Sequence, residues 1–363
     1  MRYIDEFRDS GMAREIAARI HAEATRPIKL MEICGTHTMA IARHGIKALL
    51  PDAVCLLSGP GCPVCVTPQA EIDRFIALGQ LPDITLTSFG DMLRVPGSSS
   101  TLETERARGA DVRVVYSPLD AVEIARATPQ RRVVFCGVGF ETTTPAVALA
   151  IIEAKRLGVH NFFVHSTHKI MPPALTALAS DAEIAIDGYI CPGHVSAILG
   201  TDIYEPIAHD FGIACVVTGF EPLDLLQSIY MLVRQVVTEK PEVEIQYSRA
   251  VTRAGNQAAT ACANEVFTPV DAEWRGLGTI PGSGLHIREA FAAHDAAQFL
   301  QAVVAAPAKA SFCECGQILK GKQAPSACRA FGAACTPTHP LGPCMVSSEG
   351  ACAAEYRYGV QRV

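Results

Sequence analysis

Fourteen cysteines are spread unevenly along this 363-residue chain, and two regions set thiols beside other reactive side chains. Near the start, a β-rich run ends in Cys34-Gly35-Thr36-His37, and the next runs into Gly59-Pro60-Gly61-Cys62-Pro63-Val64-Cys65. Cys34 precedes a helix expected over Thr38–Leu50. A helix N-terminus stabilises negative charge, so a thiolate there is expected to have a lowered pKa. His37 could share a metal or a proton with it; the competing reading is a buried thiol and a capping histidine. Cys62 and Cys65, in C-x-x-C spacing, suit either a redox dithiol or half of a zinc site. The sequence holds no second C-x-x-C, which favours the dithiol. Such a pair closes to a disulfide and reopens, cycling two electrons.

The second region is the tail. Cys313, Cys328, Cys335 and Cys352 are separated by 14, 6 and 16 residues, with Cys315 and Cys344 inside that frame. Four gathered thiolates bind zinc or an iron–sulfur cluster, and spacing alone does not separate the two. Either leaves two cysteines over as a second dithiol. The other five cysteines (Cys55, Cys136, Cys191, Cys215, Cys262) are scattered, mostly in apolar or strand-like runs, where free cysteine behaves as a small hydrophobe. Three more polar loops join the inventory. Gly139-Phe140-Glu141-Thr142-Thr143-Thr144-Pro145 could cradle an anion with its backbone N–H groups, but matches neither the P-loop nor G-x-G-x-x-G. Glu141 could equally anchor its own loop. His165-Ser166-Thr167-His168-Lys169 and Cys191-Pro192-Gly193-His194 follow two later β-rich runs.

The elements that must position these residues alternate. A helix is expected from about Asp5 to Ala24. Eight strands are then expected at Ile28–Ile33, Ala53–Leu57, Ile84–Ser88, Val112–Tyr116, Arg132–Gly137, Asn161–His165, Gly188–Cys191 and Ile213–Thr218. Turns and helical stretches separate them, which is repeated β-α and implies parallel sheets covered by helices. In such sheets ligands bind beyond the carboxyl ends of the strands, where the loops above fall. A long connection near Pro118–Gln130 favours two similar lobes, 28–130 and 131–240, after an N-terminal helix within 1–27. Beyond Pro241 the composition shifts; Val251–Gly284 holds the only tryptophan, Trp274, and a turn at Pro281–Gly284, and a helix is expected over Ile287–Ala306. The Gly/Pro/Cys-rich remainder of 241–363 lacks the pattern of a conventional core and calls for a metal or covalent staple.

Composition bounds the partners. Hydrophobic residues make up 49% and charged residues 19%, enough for sizeable cores, and the formal net charge of -6 comes without a long basic run. Nothing in that balance suits nucleic acid or an anionic membrane. The N-terminus lacks the pattern of a secretory signal, and no apolar run approaches a membrane span. A cytoplasmic protein with reduced thiols is the expectation.

The motifs, taken in order, resemble a known family. Cys34–His37, Gly59–Pro68, Gly139–Pro145, Cys191–Ser196, Ile280–Gly284 and the tail Cys335-Thr336-Pro337, Gly342–Cys344 and Met345–Cys352 are similar to those of the hydrogenase maturation protein family HypD. The resemblance runs over nearly the whole chain. It implies two α/β lobes of similar fold and a third region with one [4Fe-4S] cluster held by Cys313, Cys328, Cys335 and Cys352, with Cys315 and Cys344 as a non-ligand thiol pair. It makes Cys34 the thiolate that holds a transient iron carrying cyanide and carbonyl, with His37 beside it, and Cys62 and Cys65 the redox pair between that iron and the cluster. Glu141 and His194 complete the candidate site residues. The implied partners are HypC, which shares the iron, and HypE, which delivers cyanide as a thiocyanate made with HypF upstream. One departure is Glu355, where an aromatic residue is expected. Two alternatives share these residues: an oxidoreductase of ferredoxin:thioredoxin reductase type, and a zinc-stabilised scaffold.

Overall fold

The computed structural model describes residues 5–302 and 312–359. Eleven strands are present among them. Nine are β1 (Ile28–Glu32), β2 (Val54–Ser58), β3 (Ile84–Ser88), β4 (Val112–Val114), β5 (Arg132–Gly137), β6 (Phe162–Ser166), β7 (Gly188–Pro192), β8 (Ala214–Thr218) and β9 (Val243–Ile245). They form two wholly parallel sheets, ordered β2-β1-β7-β8-β9 and β4-β3-β5-β6. The last two, β10 (Phe267–Trp274) and β11 (Gly278–Ile287), make an antiparallel hairpin.

Every expected parallel strand exists, but the chain is not divided at residue 130. β1 and β2 pair with β7, so the first sheet takes strands from 28–58 and from 188–245, while β3 to β6 lie between them in sequence. The contiguous lobes 28–130 and 131–240 are therefore not the two sheets. The stretch taken as a long connection is a helix, Pro118–Ala127, begun by a Ser117/Asp120 capping box. Pairing partners depend on which apolar faces meet in space, and strand periodicity carries no record of that.

Strands buried on both faces explain the apolar runs. All five positions of β3, β7 and β8 are buried. Where β3 carries threonines, Thr85 donates to Asp111 Oδ2 at 2.6 Å and Thr87 to the Val134 carbonyl at 3.1 Å, so both buried threonine hydroxyls are satisfied within the fold. Helix α1 (Ser10–Glu23) and the helix Pro222–Val237 cover the outer face of the first sheet around Leu30, Ile190 and Val216. The inner face carries Met31, Ile33, Cys191 and Val217, and packs with Cys65, Trp274 and the tail residues Cys315, Ile318, Leu319 and Cys344 in one core cluster. The tail thus shares the first sheet's core; its own turns and short helices enclose none.

Three local expectations change. The helix after Cys34 begins earlier, as α2 (Gly35–Arg43), followed by a 3-10 turn at Ile46–Leu49. Pro281–Gly284 lies within β11, with Gly282 at φ +62. The expected helix over Ile287–Ala306 is two 3-10 segments, Glu289–His294 and Ala296–Ala302, and its last four residues fall outside the described ones.

Asp224, fully buried at the start of the Pro222–Val237 helix, joins that helix to the segment after β9. It accepts from Arg249 Nη1 at 2.8 Å, Gln246 Nε2 at 2.9 Å and the Glu221 N–H at 3.1 Å. Asp224→Ala should cost about 3 kcal/mol, the low end for a broken buried pair because Arg249 keeps partial exposure. The check is a lower urea midpoint with an unchanged slope.

Candidate functional site

β1 lies between β2 and β7, so connections diverge from its carboxyl end, and a crevice opens there. The loops at that edge touch. The Gly35 N–H donates to the Gly61 carbonyl at 2.9 Å, and a Cβ on Gly61 would stand 2.2 Å from the Cys34 nitrogen. Only glycine allows the two thiol loops to approach this closely.

Cys34 is the N-cap residue of α2 at 8% exposure; its sulfur makes no capping hydrogen bond, but the Thr36 and His37 N–H groups lie near it. Those donors favour a thiolate, as the sequence suggests, yet the thiol is pushed up to about 11. Burial is the main cause and the charge of Glu349 the next. The expected lowering is therefore overturned: desolvation outweighs the helix terminus. Glu349 comes from the tail. Its Oε1 accepts from the Thr36 hydroxyl at 2.6 Å, and a Cβ on Gly35 would stand 2.5 Å from the Glu349 Cβ.

His37 is fully buried, and its Nε2 stands 3.2 Å from the Thr218 carbonyl. A carbonyl only accepts, so that nitrogen carries the hydrogen, leaving Nδ1 as a buried lone pair without a partner among the described residues. Burial pulls its pKa down to about 4 and keeps the ring neutral. Phe220 stacks on His37 at 4.8 Å and on His194 at 3.9 Å between centroids. His194 is exposed, so this stack leads from the interior to the surface.

Cys62 caps the one-turn helix α3 (Pro63–Val66), its sulfur accepting the Cys65 N–H at 3.2 Å. Cys65 is fully buried and packs in one core cluster with Cys344 and Cys315 of the tail, and the Cys344 thiol acts on those of both Cys65 and Cys315. The neighbouring Cys313 thiol favours the Cys315 thiolate, but the Cys344 thiol and burial prevail and leave Cys315 raised to about 12. The CxxC loop and the tail are thus joined by consecutive sulfur contacts.

Cys313, Cys328, Cys335 and Cys352 line one small apolar cavity of about 20 Å³, with Cys315, Ile318, Phe331, Leu341 and Met345. Burial raises the Cys352 thiol, and the charges of Cys313, Cys315, Cys335 and Cys328 raise it further, so the set gathers around one space. Among the described residues no three His, Cys, Asp or Glu side chains close on one point tightly enough for a single ion. A tetrahedral zinc needs four sulfurs within about 2.3 Å of it. The four thiols lining this one cavity are a donor set that fits a [4Fe-4S] cluster.

Glu141 stands apart. Its Oε1 accepts the Met171 N–H at 2.8 Å, so it anchors the loop before the helix Met171–Ala179. His165 pairs with Glu71 at 2.8 Å, and His168 with the Ser166 hydroxyl at 3.0 Å. Of the scattered cysteines, Cys136, Cys191 and Cys215 are fully buried in strands, whereas Cys55 is exposed and Cys262 half-buried. Glu355 accepts the Ser326 N–H at 3.2 Å across the tail. Sequence reasoning gave no role to Glu349 or Phe220. Glu349 lies inside the quoted Met345–Cys352 motif, and Phe220 follows a strand end, the signal that found the other loops.

Fold and site together define an α/β protein with a thiol-bearing crevice and a cysteine cage joined by buried sulfurs. A family model described as HypD, "Hydrogenase formation hypA family", matches residues 11–359. The hydrogenase maturation factor HypD of Azotobacter vinelandii is 49% identical over 371 residues, covering 100% of this chain and 98% of that protein. HypD of Rhodobacter capsulatus is 46% identical over 374 residues, covering 100% and 99%, and HypD of Escherichia coli (strain K12) is 44% identical over 374 residues, covering 99% of each. The chain belongs to the HypD family of hydrogenase maturation factors. No helix among the described residues is long and apolar enough to cross a membrane.

Burial raises the Glu141 pKa to about 7 from 4.5. The folded chain then holds this proton more tightly than the unfolded chain. The stability it gives is full below pH 4.5 and is lost as pH rises to about 7. The loss is roughly 3 kcal/mol at 1.36 kcal/mol per unit. Glu141→Gln should flatten that decline in urea midpoints measured across the window. A decline as steep as that of the wild type would show that Glu141 does not titrate there.

Proposed function

We propose that this chain is a redox scaffold on which iron acquires cyanide and carbonyl ligands for [NiFe] hydrogenase, working with HypC and receiving cyanide from HypE. The observation that carries the reading is the unbroken series of sulfurs from Cys62 and Cys65 through Cys344 and Cys315 to the cysteine cage. Cys34 holds the substrate iron as a soft thiolate ligand. Its own proton is hard to lose at neutral pH, so the incoming cation must supply the charge that drives deprotonation. His37 stays neutral beside it, its Nδ1 lone pair placed to take a proton or a ligand hydrogen bond.

Cyanide carried as R–S–C≡N leaves as cyanide only when the S–C bond receives two electrons. The dithiol supplies them: R–S–CN and the two thiols of Cys62 and Cys65 give R–SH, HCN and a Cys62–Cys65 disulfide. Atoms and electrons balance, and the iron captures the cyanide while its proton is released. The disulfide then needs two electrons to reopen. Cys313, Cys328, Cys335 and Cys352 would hold a [4Fe-4S] cluster, which supplies electrons one at a time when bound. Cys344 can attack the Cys65 sulfur and release Cys62, and Cys315 can then attack Cys344 and release Cys65, so the disulfide moves to Cys315–Cys344 and two electrons from an external reductant, passed singly by way of the cage, would reopen it.

A ferredoxin:thioredoxin reductase-like activity would use the same sulfurs; retention of an iron–cyanide unit with a HypC-like protein distinguishes the proposal from it. Cys65→Ser, given HypC and cyanide-charged HypE, should keep the visible absorption of the cluster and still bind HypC. It should acquire no cyanide, read as missing C≡N stretches in the infrared. Normal cyanide acquisition would remove the dithiol from the mechanism.

A further inference from the structure

The turn between β10 and β11 carries a cation into the gap between the CxxC helix and the tail. Trp274, fully buried, fixes the turn by donating from Nε1 to the Ser283 hydroxyl at 2.8 Å. The next residue, Arg275, is bonded at three points to the end of α3 and the turn after it. Its backbone N–H donates to the Val66 carbonyl at 2.8 Å, Nε to the Thr67 carbonyl at 2.8 Å and Nη1 to Gln69 Oε1 at 3.2 Å. The carbonyls at the end of a helix have no partner within it, and a guanidinium there satisfies them and suits the helix dipole.

The other side of the turn presses on the tail. Gly276 sits at φ +81, and a Cβ there would stand 2.3 Å from the Gly316 Cα, next to Cys315. Two backbones touch at this point, so the turn fixes the distance between the CxxC helix and the segment Cys315–Leu319. The Arg275 charge acts on both Cys313 and Cys315 in the sense that favours their thiolates. Its Nη2 is buried and has no partner among the described residues, although a buried guanidinium N–H without an acceptor is costly.

We propose that Arg275 is a positioning residue of the electron path: it clamps the Cys62–Cys65 helix against the Cys315 segment and fixes a positive charge beside the cage. The proposal rests on the reading of the cage as a cluster site. A cluster held by four thiolates becomes one charge more negative on reduction, and nearby charge and hydrogen bonds to its sulfurs set its potential. A fixed guanidinium therefore favours the reduced form. Lysine would keep the charge but cannot serve the Thr67 carbonyl and Gln69 Oε1 together from one planar group.

The experiment is a potentiometric titration of the anaerobically purified full chain, followed by visible absorption and electron paramagnetic resonance. Wild type, Arg275→Gln and Arg275→Lys are compared, with thermal unfolding as the control for the clamp. Arg275→Gln should shift the cluster midpoint to lower potential, and Arg275→Lys should stay nearer wild type while melting earlier. Equal midpoints in wild type and Arg275→Gln, both holding the cluster, would overturn the charge role. A midpoint in Arg275→Lys as low as in Arg275→Gln would overturn it as well. A wild-type chain without cluster absorption would instead remove the reading of the cage, and this inference with it.

Discussion

The meeting of Cys344 with Cys65 at the open edge of the first sheet is the contact on which the functional geometry depends. It requires the tail to return across the carboxyl ends of β1 and β2, and the packing shows what brings it there. Ile318, Leu319 and Met345 bury their side chains in the core cluster that holds Met31, Ile33 and Cys65. The turn Pro343–Val346 packs on α3, and the helix Ala351–Tyr358 packs on α2, the helix that begins at Cys34. The tail is too short and too rich in Gly and Pro to enclose a core, so it completes one that already exists. That docking aligns three chemically distinct places: the crevice thiol, the dithiol and the cage.

Burial then decides the charge state of nearly every group involved. Cys34, Cys65 and Cys352 are shifted by it toward the neutral thiol and His37 toward the neutral imidazole, while in Cys315 and Cys344 neighbouring thiols act more strongly than burial and the net shift is again toward the neutral thiol. A protein relying on exposed thiolates would react with any electrophile in reach. Here the thiols are held protonated in an apolar interior, and charge enters with a bound cation or with electrons. Glu32, buried two residues before Cys34 with Ser58 as its donor at 2.8 Å, has its pKa raised to about 7 by the same desolvation. The region therefore stores protons beside sulfurs, which suits a reaction that moves both protons and electrons.

Much of this was legible in the sequence because strand ends are local. Cys34, Cys62, His194 and the loop of Glu141 were placed by a β-rich run followed by a turn, and the strands stand where that pattern put them. What failed was what depends on partners distant in sequence. The interleaving of β1 and β2 with β7 and β8 is a choice among faces of equal apolarity. β9, three half-buried residues, is too short and too polar to register as a strand. The lowered Cys34 pKa expected from the helix terminus was reversed first by burial and then by the charge of Glu349, 315 positions away in the chain, both visible only once the chain is folded. Arg275 gave no signal as a single arginine after a tryptophan; its meaning lies in the three acceptors around it.

The most direct test of this account is chemical mapping of the contact between loop and tail. In a Cys62→Ser chain the usual partner of Cys65 is gone, and mild oxidation followed by peptide mass spectrometry reports which sulfur takes its place. The docked tail predicts a disulfide between Cys65 and Cys344, formed within one chain and independent of protein concentration. A Cys65 that stays reduced while other thiols pair, or that links only between chains, would contradict the sulfur series and the mechanism built on it.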